Sequence, residues 1–105
     1  MIRAVFSRDA KGLCSAEISG HAGYREAGED IVCASVTSAV QLVCNGVTEV
    51  LKIPAEVRVE ENLVRLRLPG DACAGAAWLL EALLLHLRLL EQDYPQNLTT
   101  TVLEV

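Results

Sequence analysis

The chain has 105 residues, a mass of 11.3 kDa and a hydrophobic fraction of 51%. This size predicts one domain over residues 1–105, and the apolar fraction argues against disorder. Its 9 basic and 14 acidic residues give a net charge of −5, which argues against nucleic acid as a direct ligand because phosphate binding needs clustered Lys and Arg.

The N-terminal residues Met1–Phe6 lack the basic and apolar regions of a secretory signal. The longest apolar stretch, Ala72–Leu90, is interrupted by charged residues and a histidine, so we expect no membrane span and a cytoplasmic location with reduced thiols. The chain has four cysteines, Cys14, Cys33, Cys44 and Cys73. Because none of them forms a C-x-x-C pair, we expect no zinc site, no thioredoxin-type site, no other metal and no cofactor.

Alternating apolar residues predict a hairpin of two strands at the start of the chain, joined by a turn at Asp9–Gly12. The apolar face of the first strand holds Ile2, Ala4 and Phe6, and that of the second holds Cys14, Ala16 and Ile18.

A glycine-rich segment follows over residues 20–29, and a helix is predicted from about Ile31 to Leu51 with Asp30 as its N-cap. The buried stripe of this helix is expected to contain Val32, Val36, Ala39, Val40, Val43 and Val47. Because the segment is rich in β-branched residues, a strand that begins near Ile31 is the alternative.

The second half of the chain predicts another hairpin, Val57–Leu68, with its turn at Glu61-Asn62. A helix from about Ala72 to Gln92 follows, capped by Asp71, and Leu98–Val105 forms a last strand. The order β-β-α-β-β-α-β predicts an α+β fold, in which a mixed or antiparallel sheet of about five strands has both helices packed on one face. Apolar residues nearly encircle the second helix, which indicates a dimer interface on part of it.

Cys33 is the candidate nucleophile. With Asp30 as the cap, Cys33 lies in the first helical turn, where free amides and the helix dipole favour a thiolate that attacks a carbonyl. His21 lies twelve residues earlier in the glycine-rich segment, which is long enough to bring its imidazole beside the thiol as base and later as acid. Amides at the helix start are candidate oxyanion donors. In the alternative interpretation, Cys33 is an ordinary buried cysteine.

The remaining candidates favour structural roles. His86 is interpreted as a helix-surface or interface residue, and Cys14 and Cys73 as core residues. Cys44 lies about 16 Å along the helix from Cys33, too far to share one reaction centre. The pair Glu60-Glu61 is interpreted as a solvated turn.

The segments Gly20-His21-Ala22-Gly23-Tyr24 and Gly28-x-Asp30-Ile31-Val32-Cys33-Ala34 closely resemble the ribosomal-processing cysteine protease (Prp) family. The resemblance implies a bacterial, homodimeric protease that removes an N-terminal extension, ending in a hydrophobic Phe-containing segment, from the precursor of ribosomal large-subunit protein twenty-seven. It places the nucleophile at Cys33, the catalytic histidine at His21 and the family's acidic residue at Asp30. It also implies that the loop over Ala22–Glu29 moves to admit substrate, with hinge freedom from Gly20, Gly23 and Gly28.

After the cysteine, this chain has Ala34-Ser35-Val36-Thr37 where the family often has Ala-Ala-Val-Ser. Thr37 keeps a hydroxyl one turn beyond Cys33, in a position to support it, whereas nothing in the sequence explains the hydroxyl of Ser35. Two other functions stay open: a non-enzymatic, ribosome-associated binding module, and a thiol enzyme of another kind such as an acyl transferase.

Overall fold

The structure is a computed structural model that describes residues 1–20 and 27–105. Its strands are β1 Ile2–Asp9, β2 Gly12–Ser19, β3 Glu56–Glu60, β4 Leu63–Arg67 and β5 Leu98–Glu104, and its helices are α1 Ala27–Asn45 and α2 Ala74–Asp93. A π-helical turn, Gly46–Val50, continues α1. The predicted α+β fold and its order of elements are confirmed.

The five strands form one mixed sheet in the order β3-β4-β2-β1-β5. Strands β1 and β5 are parallel, and the other neighbours are antiparallel. Both predicted hairpins are present, and Asn62 in the second turn has a positive φ of 62°, which Asn tolerates better than most residues. The helices cover one face of the sheet, whereas polar side chains such as Ser15, Glu17 and Arg67 line a shallow depression on the other face.

The core lies between the helices and the covered face of the sheet. Its fully buried side chains include Phe6 and Leu13 of the first hairpin and Leu80 and Leu87 of α2, and each such side chain contributes about 1.5–3 kcal/mol of transfer free energy. The predicted valine stripe of α1 is buried at Val32, Val36, Val40, Val43 and Val47. Because these positions repeat every three or four residues, one face of a helix buries them all, and the alternative strand near Ile31 is wrong.

One helical stretch in the described part of the chain, Ile31–Val50, is long and apolar enough to cross a membrane by length and composition. The same stretch carries the buried valine stripe and packs against α2 and the sheet in a single hydrophobic cluster. Its buried stripe therefore accounts for part of its apolar character.

Two cysteines lie elsewhere than predicted. Ser7 pairs with Ser15 but Arg8 pairs with Leu13, so Cys14 is the extra residue of a β-bulge. The bulge turns Leu13 into the core, and the half-buried Cys14 thiol donates instead to the Ser7 carbonyl oxygen at 3.4 Å. A strict two-residue alternation did not predict this, and the prediction of Cys14 as a core residue is wrong.

Cys73 is exposed and occupies the N-cap position of α2, so its assignment to the core is also wrong. The helix starts at Ala74, which excludes the predicted cap Asp71. A hydrogen bond from the Ala72 amide to the Pro69 carbonyl (3.0 Å) closes a turn over these residues and delays the helix.

Candidate active site

Helix α1 begins at Ala27, four residues earlier than the sequence predicted. Asp30 is therefore the fourth residue of the helix, and its predicted N-cap position is wrong. Acidic residues are favourable both at the cap and inside the first turn, so the residue type alone did not fix the start. Gly28, predicted as a loop hinge, also lies within the helix.

The earlier start moves Cys33 from the first turn to the second, as the seventh residue of α1. The amide at this depth bonds within the helix, and the dipole effect declines beyond the first turn. The expectation that free amides surround Cys33 is therefore wrong. Its side chain is half-buried and packs against the edge of the core.

Thr37 and Ser35 lie on different sides of α1. Thr37 is one turn beyond Cys33 on nearly the same face, and it lines a groove between α1 and β3. Ser35 is half-buried and faces a second groove, between α1 and α2, together with His86. The Thr37 hydroxyl is therefore on the side of the helix that Cys33 occupies, whereas Ser35 is directed away from it. His86 is exposed on α2, as predicted.

Gly20 fixes the point from which the chain continues to His21. Its φ is +80°, and its amide donates to the Asn62 carbonyl oxygen at 2.9 Å. A Cβ at this position would lie 2.5 Å from the Met1 carbonyl oxygen. Only glycine fits here without displacing the backbone. This steric role was not predicted from the sequence. His21 itself, and Gly23, lie outside the described residues.

Two of the other cysteines have surroundings that disfavour the thiolate. In Cys44, desolvation raises the pKa of the thiol. In Cys14, desolvation first and the nearby Asp9 carboxylate second also raise the pKa. Both thiols hold their protons at neutral pH more strongly than an ordinary cysteine, which disfavours them as nucleophiles. All four cysteines are in the described part of the chain, and none is in a disulfide.

In the described residues, no group of three or more His, Cys, Asp and Glu side chains is arranged to hold a metal ion. The chemistry that the described site offers is that of a thiol. The candidate thiol is Cys33 in α1, and its candidate partner His21 lies outside the described residues.

Comparison with known proteins defines the class: the chain is a small cysteine protease, a hydrolase of peptide bonds. The family model described as cysteine protease Prp matches residues 1–99. The chain therefore belongs to the Prp family, and the resemblance read from the sequence is confirmed. This membership supports the protease over the binding module and the acyl transferase.

Three similar proteins illustrate the match. The ribosomal processing cysteine protease Prp of Bacillus subtilis (strain 168) is 32% identical over 96% of both chains. The crystal structure of SMU.848 from Streptococcus mutans has a TM-score of 0.90 at 28% identity, and it covers 100% of this chain and 96% of that one. The essential ribosomal processing protease Prp of S. aureus, solved with a covalently linked product peptide, has a TM-score of 0.87 at 20% identity over 97% of this chain and 99% of that one.

The sequence reasoning missed the groove between α1 and β3. Val57 and Val59 were recognised as residues of a strand in the second hairpin, but they are 38% and 72% exposed because α1 does not cover the outer strand. The alternation of valine with charged residues predicts a half-buried strand, and it carries no signal of how far the helix reaches.

Proposed function

We propose that this protease uses Cys33 as its nucleophile and His21 as its general base and acid. His21 accepts the thiol proton, and the sulfur attacks the carbonyl carbon of the scissile peptide bond. The imidazolium then returns the proton to the leaving amine as the C–N bond breaks. Water, deprotonated by His21, hydrolyses the resulting thioester and frees the thiol.

The position of Cys33 supports this assignment. It is half-buried on α1, one helical turn before Thr37, which lines the groove between α1 and β3. Burial raises the pKa of Cys44 and Cys14, which disfavours those two thiols as nucleophiles. Gly20 holds the chain that leads to His21 against the β3–β4 turn. In this proposal Asp30 and Thr37 are supporting residues near Cys33, without a direct role in bond cleavage.

The proposed substrate is the precursor of ribosomal large-subunit protein twenty-seven, which the protease shortens at its N-terminus. The observation that carries this step is the 32% identity over 96% of both chains to a relative named as a ribosomal processing protease. The S. aureus protein was solved in complex with a substrate peptide as well as with a product peptide. We place the reaction in the cytoplasm, where ribosomal proteins are made, and it needs neither metal nor cofactor.

The acidic surface supports the same substrate. The net charge of −5 attracts a basic ribosomal protein over distances comparable to the Debye length. In this proposal the charge recruits the precursor as a whole, and apolar surface near Cys33 binds its hydrophobic extension. The enzyme binds neither nucleic acid nor membrane in this scheme.

The proposal also includes a homodimer. Large apolar side chains are exposed along the outer faces of the helices: Trp78 is 70% exposed, Leu85 61% and Leu42 74%. Leu42 lines the open groove between α1 and α2 together with His86. Patches of this kind are typical of protein interfaces. Sedimentation of wild type and Trp78→Ser tests the dimer, and a wild-type protein that sediments as a monomer at micromolar concentration contradicts it.

Cleavage of the purified precursor by matched variants tests the catalytic assignment. We expect Cys33→Ala and His21→Ala each to lower kcat/KM at least a thousandfold, and Cys73→Ala, at an exposed cysteine that does not line the groove between α1 and β3, to stay within threefold of wild type. Mass spectrometry of the products locates the cut in the N-terminal extension. Undiminished cleavage by Cys33→Ala would rule out the nucleophile, and an uncleaved precursor with an active enzyme on other peptides would rule out the substrate.

A further inference from the structure

The groove between α1 and β3 has a volume of about 310 Å³ and an apolar lining. Thr37, Gln41 and Cys44 form its wall on α1, and Val57, Val59 and Val64 form its wall on the sheet. Cys33 lies one helical turn before Thr37, a distance of about 6 Å along the axis, on nearly the same side of α1. The groove therefore reaches to within about one helical turn of Cys33.

Strand β3 is an outer strand of the sheet, and two backbone hydrogen bonds of the neighbouring strand β4 settle which backbone groups of β3 are unpaired within the sheet. Asn62 and Leu68 flank β4, and both bond towards β2. The Asn62 carbonyl oxygen accepts from the Gly20 amide, and the Leu68 amide donates to the Cys14 carbonyl oxygen, both at 2.9 Å. Hydrogen bonding alternates along antiparallel strands, so the odd-numbered residues of β4 bond to β3.

The partners of those odd-numbered residues are Glu60, Arg58 and Glu56. Val57 and Val59 therefore direct their N–H and C=O groups away from the sheet. In the residues that the structure describes, no strand lies beyond them. Their side chains face the groove, and Val59 is 72% exposed.

An exposed edge with apolar side chains is a place where another strand pairs. Main-chain bonds to Val57 and Val59 would hold an extended peptide, and every second side chain of that peptide would point into the groove beside α1. The edge also leads towards the chain of His21, since β3 ends at the turn whose Asn62 carbonyl binds the Gly20 amide.

We propose that the substrate binds by adding to β3 as a sixth strand, with alternate apolar side chains in the groove and its scissile bond directed to Cys33. The inference rests on the proposed function for the role of Cys33. The peptide pairs through its main chain with Val57 and Val59. The substrate class is an extended peptide with apolar residues at alternate positions.

The first test is the variant Val59→Lys, compared with Leu103→Lys. Both residues are exposed apolar residues on outer strands, Val59 at 72% and Leu103 at 48% on β5, so both variants keep the fold, as an unchanged melting temperature checks. On a peptide spanning the precursor's cleavage site, we expect Val59→Lys to raise KM about tenfold with a smaller change in kcat, and Leu103→Lys to stay within twofold. A Val59→Lys enzyme with wild-type kcat/KM overturns the proposal.

The second test is a scan in which each backbone amide of the same peptide is N-methylated in turn. Strand addition predicts that binding to the Cys33→Ala enzyme falls at every second position within the paired segment, because alternate amides face β3. A scan without alternation overturns strand addition. If Val59→Lys instead dissociates a dimer, the edge pairs with a second copy and the proposal is also overturned. If the wild-type enzyme cleaves neither the precursor nor any of the peptides, the proposed function itself is overturned. If it cleaves them but the scan shows no alternation, only the binding mode is overturned.

Discussion

Replacing Gly20 by alanine tests how the chain is held where it leaves the sheet for His21. The φ of +80° at this residue costs an L-residue about 1–2 kcal/mol. The new Cβ would also lie 2.5 Å from the Met1 carbonyl oxygen. That oxygen belongs to backbone, and the next residue, Ile2, is fixed by a 2.9 Å bond from its amide to the Asn97 carbonyl. We therefore expect a total loss of about 3 kcal/mol of unfolding free energy.

For a domain of this size the loss corresponds to a fall in Tm of about 15 °C. The assay is thermal unfolding followed by circular dichroism, with Gly12→Ala and Gly70→Ala as matched controls. Gly12 has a φ of +122° with its nearest atom at 3.8 Å, so it isolates the backbone strain, whereas Gly70 has no atom within 4 Å. The expected order of Tm is Gly70→Ala highest, then Gly12→Ala, then Gly20→Ala. A Gly20→Ala protein as stable as Gly70→Ala refutes the reasoning.

Three further predictions concern the core, the thiols and the charge. Leu80→Ala empties a fully buried position and should lower the unfolding free energy by about 3 kcal/mol in urea titrations, and a loss below 1 kcal/mol would contradict the described core. Iodoacetamide should modify the exposed Cys73 at least ten times faster than Cys44 in peptide mapping, because Cys44 is half-buried and burial raises the pKa of its thiol. The Cys44 rate should therefore keep rising above the pH at which the rate of free cysteine levels off, and a Cys44 profile that coincides with that of free cysteine would contradict this. Cleavage of the whole basic precursor should slow several-fold between 50 and 500 mM salt because screening shortens the attraction to a chain of net charge −5, and a flat salt profile would contradict recruitment by charge.

Hydrophobic periodicity was sufficient to predict most of the fold. The valine stripe of α1 and the two hairpins follow patterns of about 3.6 and 2 residues, and those patterns are local. The errors occur where a single residue departs from the pattern. At Cys14 a bulge shifts the alternation by one residue, and before Ala74 a turn at Pro69 replaces the first predicted turn of α2.

The candidate site was likewise predicted from the sequence only in part. Cys33 and His21 were predicted because their neighbours form a recognisable local motif, and the family that this motif indicates is confirmed. The start of α1 was predicted four residues late because acidic residues suit either the cap or the first turn. The groove beside Val57 and Val59 depends on the distance between two elements far apart in the sequence, and no local pattern encodes that distance.

The most direct test of the central assignment is covalent capture of the nucleophile. The probe is the precursor's extension peptide, ending at the cleavage site in a chloromethyl ketone, which forms a stable thioether with a cysteine sulfur as chloride leaves. Peptide mapping after reaction with the folded enzyme should find the adduct on Cys33 alone, and His21→Ala should slow its formation at least a hundredfold. An adduct on Cys44 or Cys73 at a comparable rate, or labelling of Cys33 that does not depend on His21, would contradict the assignment.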